Sequence, residues 1–225
     1  MDTSASNRRR SIALFGGTFD PVHFGHLRMA LELRQALGFD QMRLLPCRQP
    51  HHRQSPRASV QQRRDMLTLA LEKGGELQLD ERELHRAGPT FTVDTLEDLR
   101  AELGTEVSIS FCMGLDSLLT LPSWHRRERL LQLAHLVVVA RPGWRLPEDG
   151  EVARLLREHA GTRAQIRGEA QGRLLVCEQT PLPISASQIR RLLAQRQSPR
   201  FLLPAAVLQY IEDNQLYGIT ASGGS

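Results

Sequence analysis

The sequence predicts an α/β protein in which a parallel sheet is flanked by helices, with a small helical part at the C-terminal end. Along its 225 residues, short apolar segments alternate with segments of helical periodicity, the pattern of a sheet wrapped by crossover helices. The run Leu136-Val137-Val138-Val139-Ala140 has no polar alternation, as a strand buried on both faces requires. Strand-like runs also lead through glycine into helical segments at Gly16-Gly17 and at Gly114, two corners of the same type.

Each element follows in order. Residues 12–15 form the first strand and 27–37 the first helix, stopped by Gly38. Residues 42–45 are a second strand closed by Pro46, and 47–58, with Pro50 and Pro56 and no periodicity, an exposed loop. Ser59 caps a helix that runs to Lys73 and ends at Gly74-Gly75. A short strand at 77–79 precedes a helix at 92–103, which carries Val93, Leu96 and Leu99 on one face. Strands at 107–113 and 136–140 come next, then a Pro/Gly loop over 141–150 and a helix over 152–159. The stretch 161–172 reads as weakly ordered, 174–177 as the last strand, and two helices close the chain, one from Ser185 and one over 204–214. A single domain over 11–217 with flexible termini at 1–10 and 218–225 is expected.

Composition narrows the function classes. With 40% hydrophobic and 24% charged residues the chain is an ordinary globular one, and no apolar run reaches the ~20 residues of a membrane span. The polar, basic start is followed by too short an apolar run for a signal peptide, so a cytoplasmic protein is expected. Cys47, Cys112 and Cys177 are scattered, which argues against a disulfide framework and against a structural zinc site. A net charge of +4 with spread arginines and 5% aromatic residues suits a polyphosphate ligand as well as a nucleic acid. His51 and His52 have no carboxylate or cysteine at metal spacing, so no protein metal site is expected.

Two stretches carry chemistry. The first is Gly16-Gly17-Thr18-Phe19-Asp20-Pro21-Val22-His23-Phe24-Gly25-His26. Read as strand, glycine turn and helix, it directs helix-terminal amides at an anion, and two histidines three residues apart face the same place. It lacks the Lys-Ser/Thr ending of a P-loop and the glycine spacing of a dinucleotide fingerprint. Asp20, before Pro21, serves on this reading to stabilise the turn. The second stretch is Ile184-Ser185-Ala186-Ser187-Gln188-Ile189-Arg190, where Ser185 and Gln188 have the spacing of a capping box. Arg190, one turn in, can reach back to the helix start and complete a phosphate site with the serine hydroxyls. Taken locally, an ordinary capped surface helix with a solvated arginine fits this stretch too. His85 and His159 read as solvated, His135 as a hydrogen-bonded structural residue, and Trp144 as a loop anchor or lid residue.

His23-Phe24-Gly25-His26 resembles the His-x-Gly-His signature of the nucleotidyltransferase superfamily, and 184–190 resembles its Ile-Ser-x-Thr-x-x-Arg motif, with Ser187 in place of threonine. Between them the chain is similar to the bacterial nicotinate-nucleotide adenylyltransferases. The matching runs include Pro50-His51-His52-Arg53, Asp80-Glu81-Arg82-Glu83-Leu84, Pro89-Thr90-Phe91-Thr92-Val93-Asp94-Thr95-Leu96, Gly114-Leu115-Asp116-Ser117 and Ser123-Trp124. Ala134-His135-Leu136 and Arg141-Pro142-Gly143 extend the likeness, which covers 12–217.

The resemblance implies a Rossmann-like nucleotidyltransferase fold and the transfer of AMP from ATP to nicotinate mononucleotide. Nicotinamide mononucleotide, or another acceptor on the same fold, is the alternative. It implies His23 beside the α-phosphate and His26 slightly deeper, with protonation adding charge to their donors. Gly16, Gly17 and Thr18 would supply amides and a hydroxyl, Gly114 and Asp116 the second corner, and Asp116 a ribose contact. His52 and Arg53 would reach the substrate phosphates, and Ser187 with Arg190 the pyrophosphate end. Thr92, Trp124 and His125 would line the nicotinate pocket, His125 standing where relatives often carry tyrosine. Mg²⁺ is expected with ATP, held by phosphate and water rather than by a protein cage. ATP and nicotinate mononucleotide are the expected partners, without nucleic acid or membrane.

Overall fold

A computed structural model describes residues 9–49, 55–71, 75–88, 90–140, 145–179 and 182–218. Six parallel strands form one sheet: β1 (Ser11–Gly17), β2 (Gln41–Pro46), β3 (Leu77–Leu79), β4 (Ser108–Gly114), β5 (His135–Ala140) and β6 (Leu174–Glu178). Their order is β3-β2-β1-β4-β5-β6. From β1 the chain winds outward through β2 and β3, then crosses back to β4 and winds the other way. The crevice at such a reversal, beyond the carboxyl ends of the strands, is where open α/β sheets bind ligands.

Period-two burial explains why the central strands are apolar without alternation. Ala13, Phe15, Cys112, Val137 and Val139 enter one core, with α1 (Phe24–Leu37), α2 (Val60–Leu71), α8 (Ala186–Ala194) and α9 (Ala205–Asp213). Ile12, Leu14, Ile109, Phe111, Leu136 and Val138 enter the other. That second layer draws on α3 (Thr92–Leu103), α4 (Leu115–Thr120), α5 (Leu130–Leu133) and α6 (Gly150–Glu158). No helix among the described residues is long and apolar enough to cross a membrane.

The structure departs from the sequence reading in three places. Gly16 and Gly17 continue β1, paired with Leu45 and Pro46, so the turn is the segment after them. Helix α1 consequently begins at Phe24 rather than at residue 27. Third, 161–172 is ordered around a short helix, α7 (Arg163–Gly168), with a reciprocal capping box between Thr162 and Gln165. Only Ile166 of that helix is buried, which leaves no periodicity to read, and its carbonyl is fixed by the Ser108 hydroxyl at 2.6 Å. The helix after Ser59 starts where expected, since Ser59 Oγ accepts from Gln62 N at 3.2 Å while Gln62 Oε1 accepts from Ser59 N at 2.8 Å.

Candidate active site

The carboxyl end of β1 leads through Thr18–Val22 to His23, the extended N-cap of α1 (φ −149°). Its side chain folds back over Gly25. A Cβ on Gly25 would lie 3.0 Å from His23 Cε1 and Nδ1 and 3.3 Å from the Ile184 carbonyl. Glycine is therefore needed there for close approach, and it allows the two imidazoles to stack, His23 on His26, with centroids 3.7 Å apart and planes 23° apart. Phe19 braces His26 edge-on at 4.9 Å. Both Nδ1 atoms are shielded from solvent without a protein partner.

Burial pushes the His23 pKa down to about 4. Burial, and then the neighbouring His23, hold His26 well below the usual range. Both rings are thus neutral at pH 7, each donating from one nitrogen, without the added charge that protonation would bring. The helix mouth is also narrower in donors than the sequence suggests, because the Phe24 amide is spent on the Leu202 carbonyl at 3.0 Å.

Helix α8 brings the second motif to the same place. Ser185 caps it, accepting from Gln188 N at 3.1 Å. Arg190 does reach back: it donates to Ser187 Oγ at 3.3 Å and to the Asp20 carbonyl at 2.5 Å. A guanidinium half-withdrawn from solvent and bonded to the β1 turn is not a freely solvated surface arginine.

The corner after β4 completes the floor. A Cβ on Gly114 would meet Asp116 Oδ1 at 2.6 Å, so the carboxylate lies folded over that glycine. Two cavities open here. The larger, about 830 Å³, holds His23, His26, Ser187 and Arg190. The smaller, about 450 Å³, holds Thr92, Trp124 and His125. They meet at Gly16, Gly17, Thr18 and Asp116, which line both. The smaller cavity has aromatic walls: Trp124 stands edge-on to Phe111 at 6.3 Å, and the His125 ring lies 4.4 Å from Phe91.

Among the described residues the expected site residues therefore gather around one crevice. His52 and Arg53 lie outside the described residues, as does Trp144. His135 is the structural residue expected, fully buried, with Nε2 3.0 Å from the Glu169 carbonyl and Nδ1 accepting from Arg173 N at 3.1 Å. His159 is tied to the Gly172 carbonyl at 3.1 Å, so it is not merely solvated.

Two residues of the site received no role from motif reading. Arg63 of α2 is fully buried and donates to the carbonyls of Thr18 (2.9 Å), Cys47 (2.6 Å) and Arg48 (2.8 Å). It clamps the chain leaving β1 to the chain leaving β2. The signal was an arginine on the buried face of α2, in register with Met66 and Leu67. Glu83, in the wall of the smaller cavity, accepts from the Thr95 hydroxyl at 2.8 Å, and burial raises its pKa to about 7. It lies in the run Asp80-Glu81-Arg82-Glu83-Leu84 that carries the resemblance, which gave it no role.

Comparison with known proteins agrees with this fold. The cytidylyltransferase-like family matches residues 14–192. A probable nicotinate-nucleotide adenylyltransferase of Cellvibrio japonicus is 54% identical over 93% of this chain and 99% of its own. One of Hahella chejuensis is 47% identical over 92% and 95%. Among solved structures, the nicotinic acid mononucleotide adenylyltransferase of Plasmodium falciparum complexed with NaAD superposes with a TM-score of 0.71 at 17% identity, covering 94% of this chain and 98% of that one. The fold is that of a nucleotidyltransferase. The chain belongs to the cytidylyltransferase-like family and, within it, to the nicotinate-nucleotide adenylyltransferases.

Proposed function

We propose that the larger cavity takes ATP and the smaller one nicotinate mononucleotide, and that the two phosphates meet at the throat formed by Gly16, Gly17, Thr18 and Asp116. The observation that carries this reading is the shared lining itself: one cavity with phosphate donors and one with aromatic walls open onto the same four residues. The complex of the Plasmodium relative with NaAD supports it.

A phosphate oxygen of the mononucleotide attacks the α-phosphorus of ATP. The α–β phosphoanhydride bond breaks, its electron pair leaves with pyrophosphate, and nicotinate adenine dinucleotide results. The attacking oxygen is already anionic at pH 7, so no general base is required. The protein's task is alignment and relief of charge. His23 and His26 donate N–H groups to the α-phosphate region, and the approach of the polyphosphate raises their proton affinity as negative charge builds. Ser187 and Arg190 hold the departing pyrophosphate. Val139, Ala140, Leu182 and Ile184, on the far wall, offer apolar surface for the adenine. Asp116 accepts from a ribose hydroxyl at the throat.

ATP enters as its Mg²⁺ complex. The ion would be held by phosphate oxygens and water and would supply charge neutralisation. On the acceptor side, Trp124 stacks on the pyridine ring, with Thr92 and His125 beside it. Replacing Trp124 by alanine is expected to raise KM for nicotinate mononucleotide roughly tenfold, as loss of one aromatic stacking surface does, with KM for ATP unchanged. A rise in KM for ATP instead would reverse the assignment of the two cavities.

A further inference from the structure

Asp20 ties together segments that lie far apart in the chain. Its carboxylate accepts from the amides of Arg57 (2.8 Å) and Ala58 (3.1 Å), where the chain enters α2. Oδ1 also accepts from the Tyr217 hydroxyl at 2.7 Å, across 197 residues of sequence. Arg190 donates to the Asp20 carbonyl at 2.5 Å and stands 3.7 Å from its carboxylate. This is more than the turn-stabilising role the sequence suggested.

The tyrosine is placed with some effort. Tyr217 is buried and sits at φ +62°, a left-handed conformation unfavourable for a bulky residue. Burial, followed by the Asp20 charge, raises its pKa, so the phenol keeps its proton as a donor. Packing alone would be served by a phenylalanine. What the hydroxyl adds is a bond to a buried carboxylate beside the site that receives the polyphosphate.

A carboxylate in that wall opposes anion binding by simple Coulomb repulsion. Its presence is accounted for by what it holds. With Arg57, Ala58 and Tyr217 directing hydrogen bonds at it, its charge is engaged in the protein and Arg190 remains shared between the Asp20 carbonyl and Ser187. Without the phenol the Asp20 carboxylate loses one of its donors and carries more uncompensated charge, and the guanidinium, already 3.7 Å from Oδ2, is drawn toward it and away from Ser187. We infer that Tyr217 and Asp20 are positioning residues for ATP: the end of the C-terminal helical part sets Arg190 through Asp20. The inference rests on the reading that Arg190 binds the polyphosphate.

The test is the dissociation constant of Mg²⁺–ATP, by titration calorimetry, in Tyr217→Phe, Arg190→Ala and the double variant, with acceptor KM and melting temperature measured alongside. Tyr217→Phe is expected to weaken ATP binding about 3- to 10-fold, to leave acceptor KM unchanged, and to add nothing in the Arg190→Ala background. Unchanged ATP affinity in Arg190→Ala alone would overturn the reading of Arg190 itself. ATP affinity lowered by Arg190→Ala but untouched by Tyr217→Phe, with only the melting temperature reduced, would overturn the inference. Equal factors in both backgrounds would overturn it as well. Should Tyr217→Phe fail to fold, Asp20→Asn takes its place under the same criteria.

Discussion

His23 is where the chemistry is most exposed to a small geometric error. Its ring lies across Gly25, with no room for a methyl group (3.0 Å to Cε1 and Nδ1). Gly25→Ala is expected to lower kcat about tenfold or more by shifting the ring a few tenths of an ångström. Alanine favours helical backbone more than glycine does, which offsets the crowding in part, so the melting temperature is expected to change little. Activity then falls without a matching loss of stability, which separates displacement of His23 from loss of fold; falling stability with normal activity would contradict the placement. Local sequence reveals the need for these residues but not their state. His23-Phe24-Gly25-His26 announces an anion site, whereas the neutrality of the rings depends on the tertiary burial that draws His23 to a pKa of about 4. Asp20 shows the same limit: its neighbours in sequence suggest a turn, and its bond to Tyr217 spans 197 residues.

At the level of elements, the crevice is held open by a clamp rather than by the sheet alone. β1 and β2 are paired only as far as Gly17 and Pro46, and beyond them Arg63 joins the two outgoing segments through three carbonyls. Arg63→Met fills much of the volume but leaves those carbonyls without their buried donor, a loss of about 2–4 kcal/mol that relief of the buried charge offsets only in part. A fall of the urea midpoint without change in slope is the expected result, and a shift below about 0.5 kcal/mol would show that the clamp is not needed. Most elements were legible because their signals are local: β-branched and aromatic alternation for β4, an apolar run for β5, the Ser59 cap for α2, Gly38 for the end of α1. Helix α7 was not, since its single buried residue, Ile166, makes no pattern. A short helix held by a capping box and one packed side chain draws its stability from its neighbours.

For the molecule as a whole, burial of titratable groups fixes how stability responds to pH. His23, His26 and His135 all have folded pKa values lowered by burial, so the unfolded chain binds more protons than the folded one below the unperturbed value of 6.5. Their contribution is present above pH 6.5 and is lost as pH falls, for His23 down to about 4. Glu83 acts in the opposite sense: raised from 4.5 to about 7, its favourable neutral form is lost as pH rises through that window. Three groups oppose one, so unfolding free energy is expected to increase from pH 4.5 to 6.5, with His23 alone contributing on the order of 3 kcal/mol. His23→Ala should flatten that rise, and an unchanged slope would mean that the ring is not buried as described.

On the function proposed here, the parallel sheet, its reversal between β1 and β4 and the two motifs bring ATP and nicotinate mononucleotide to either side of one throat. Pyrophosphate release from Mg²⁺–ATP, followed with nicotinate mononucleotide and nicotinamide mononucleotide in parallel, tests this most directly. Release with the nicotinate acceptor, at a kcat/KM about tenfold or more above that with the nicotinamide one, is the predicted result. Equal turnover of the two, or release with neither, would contradict it.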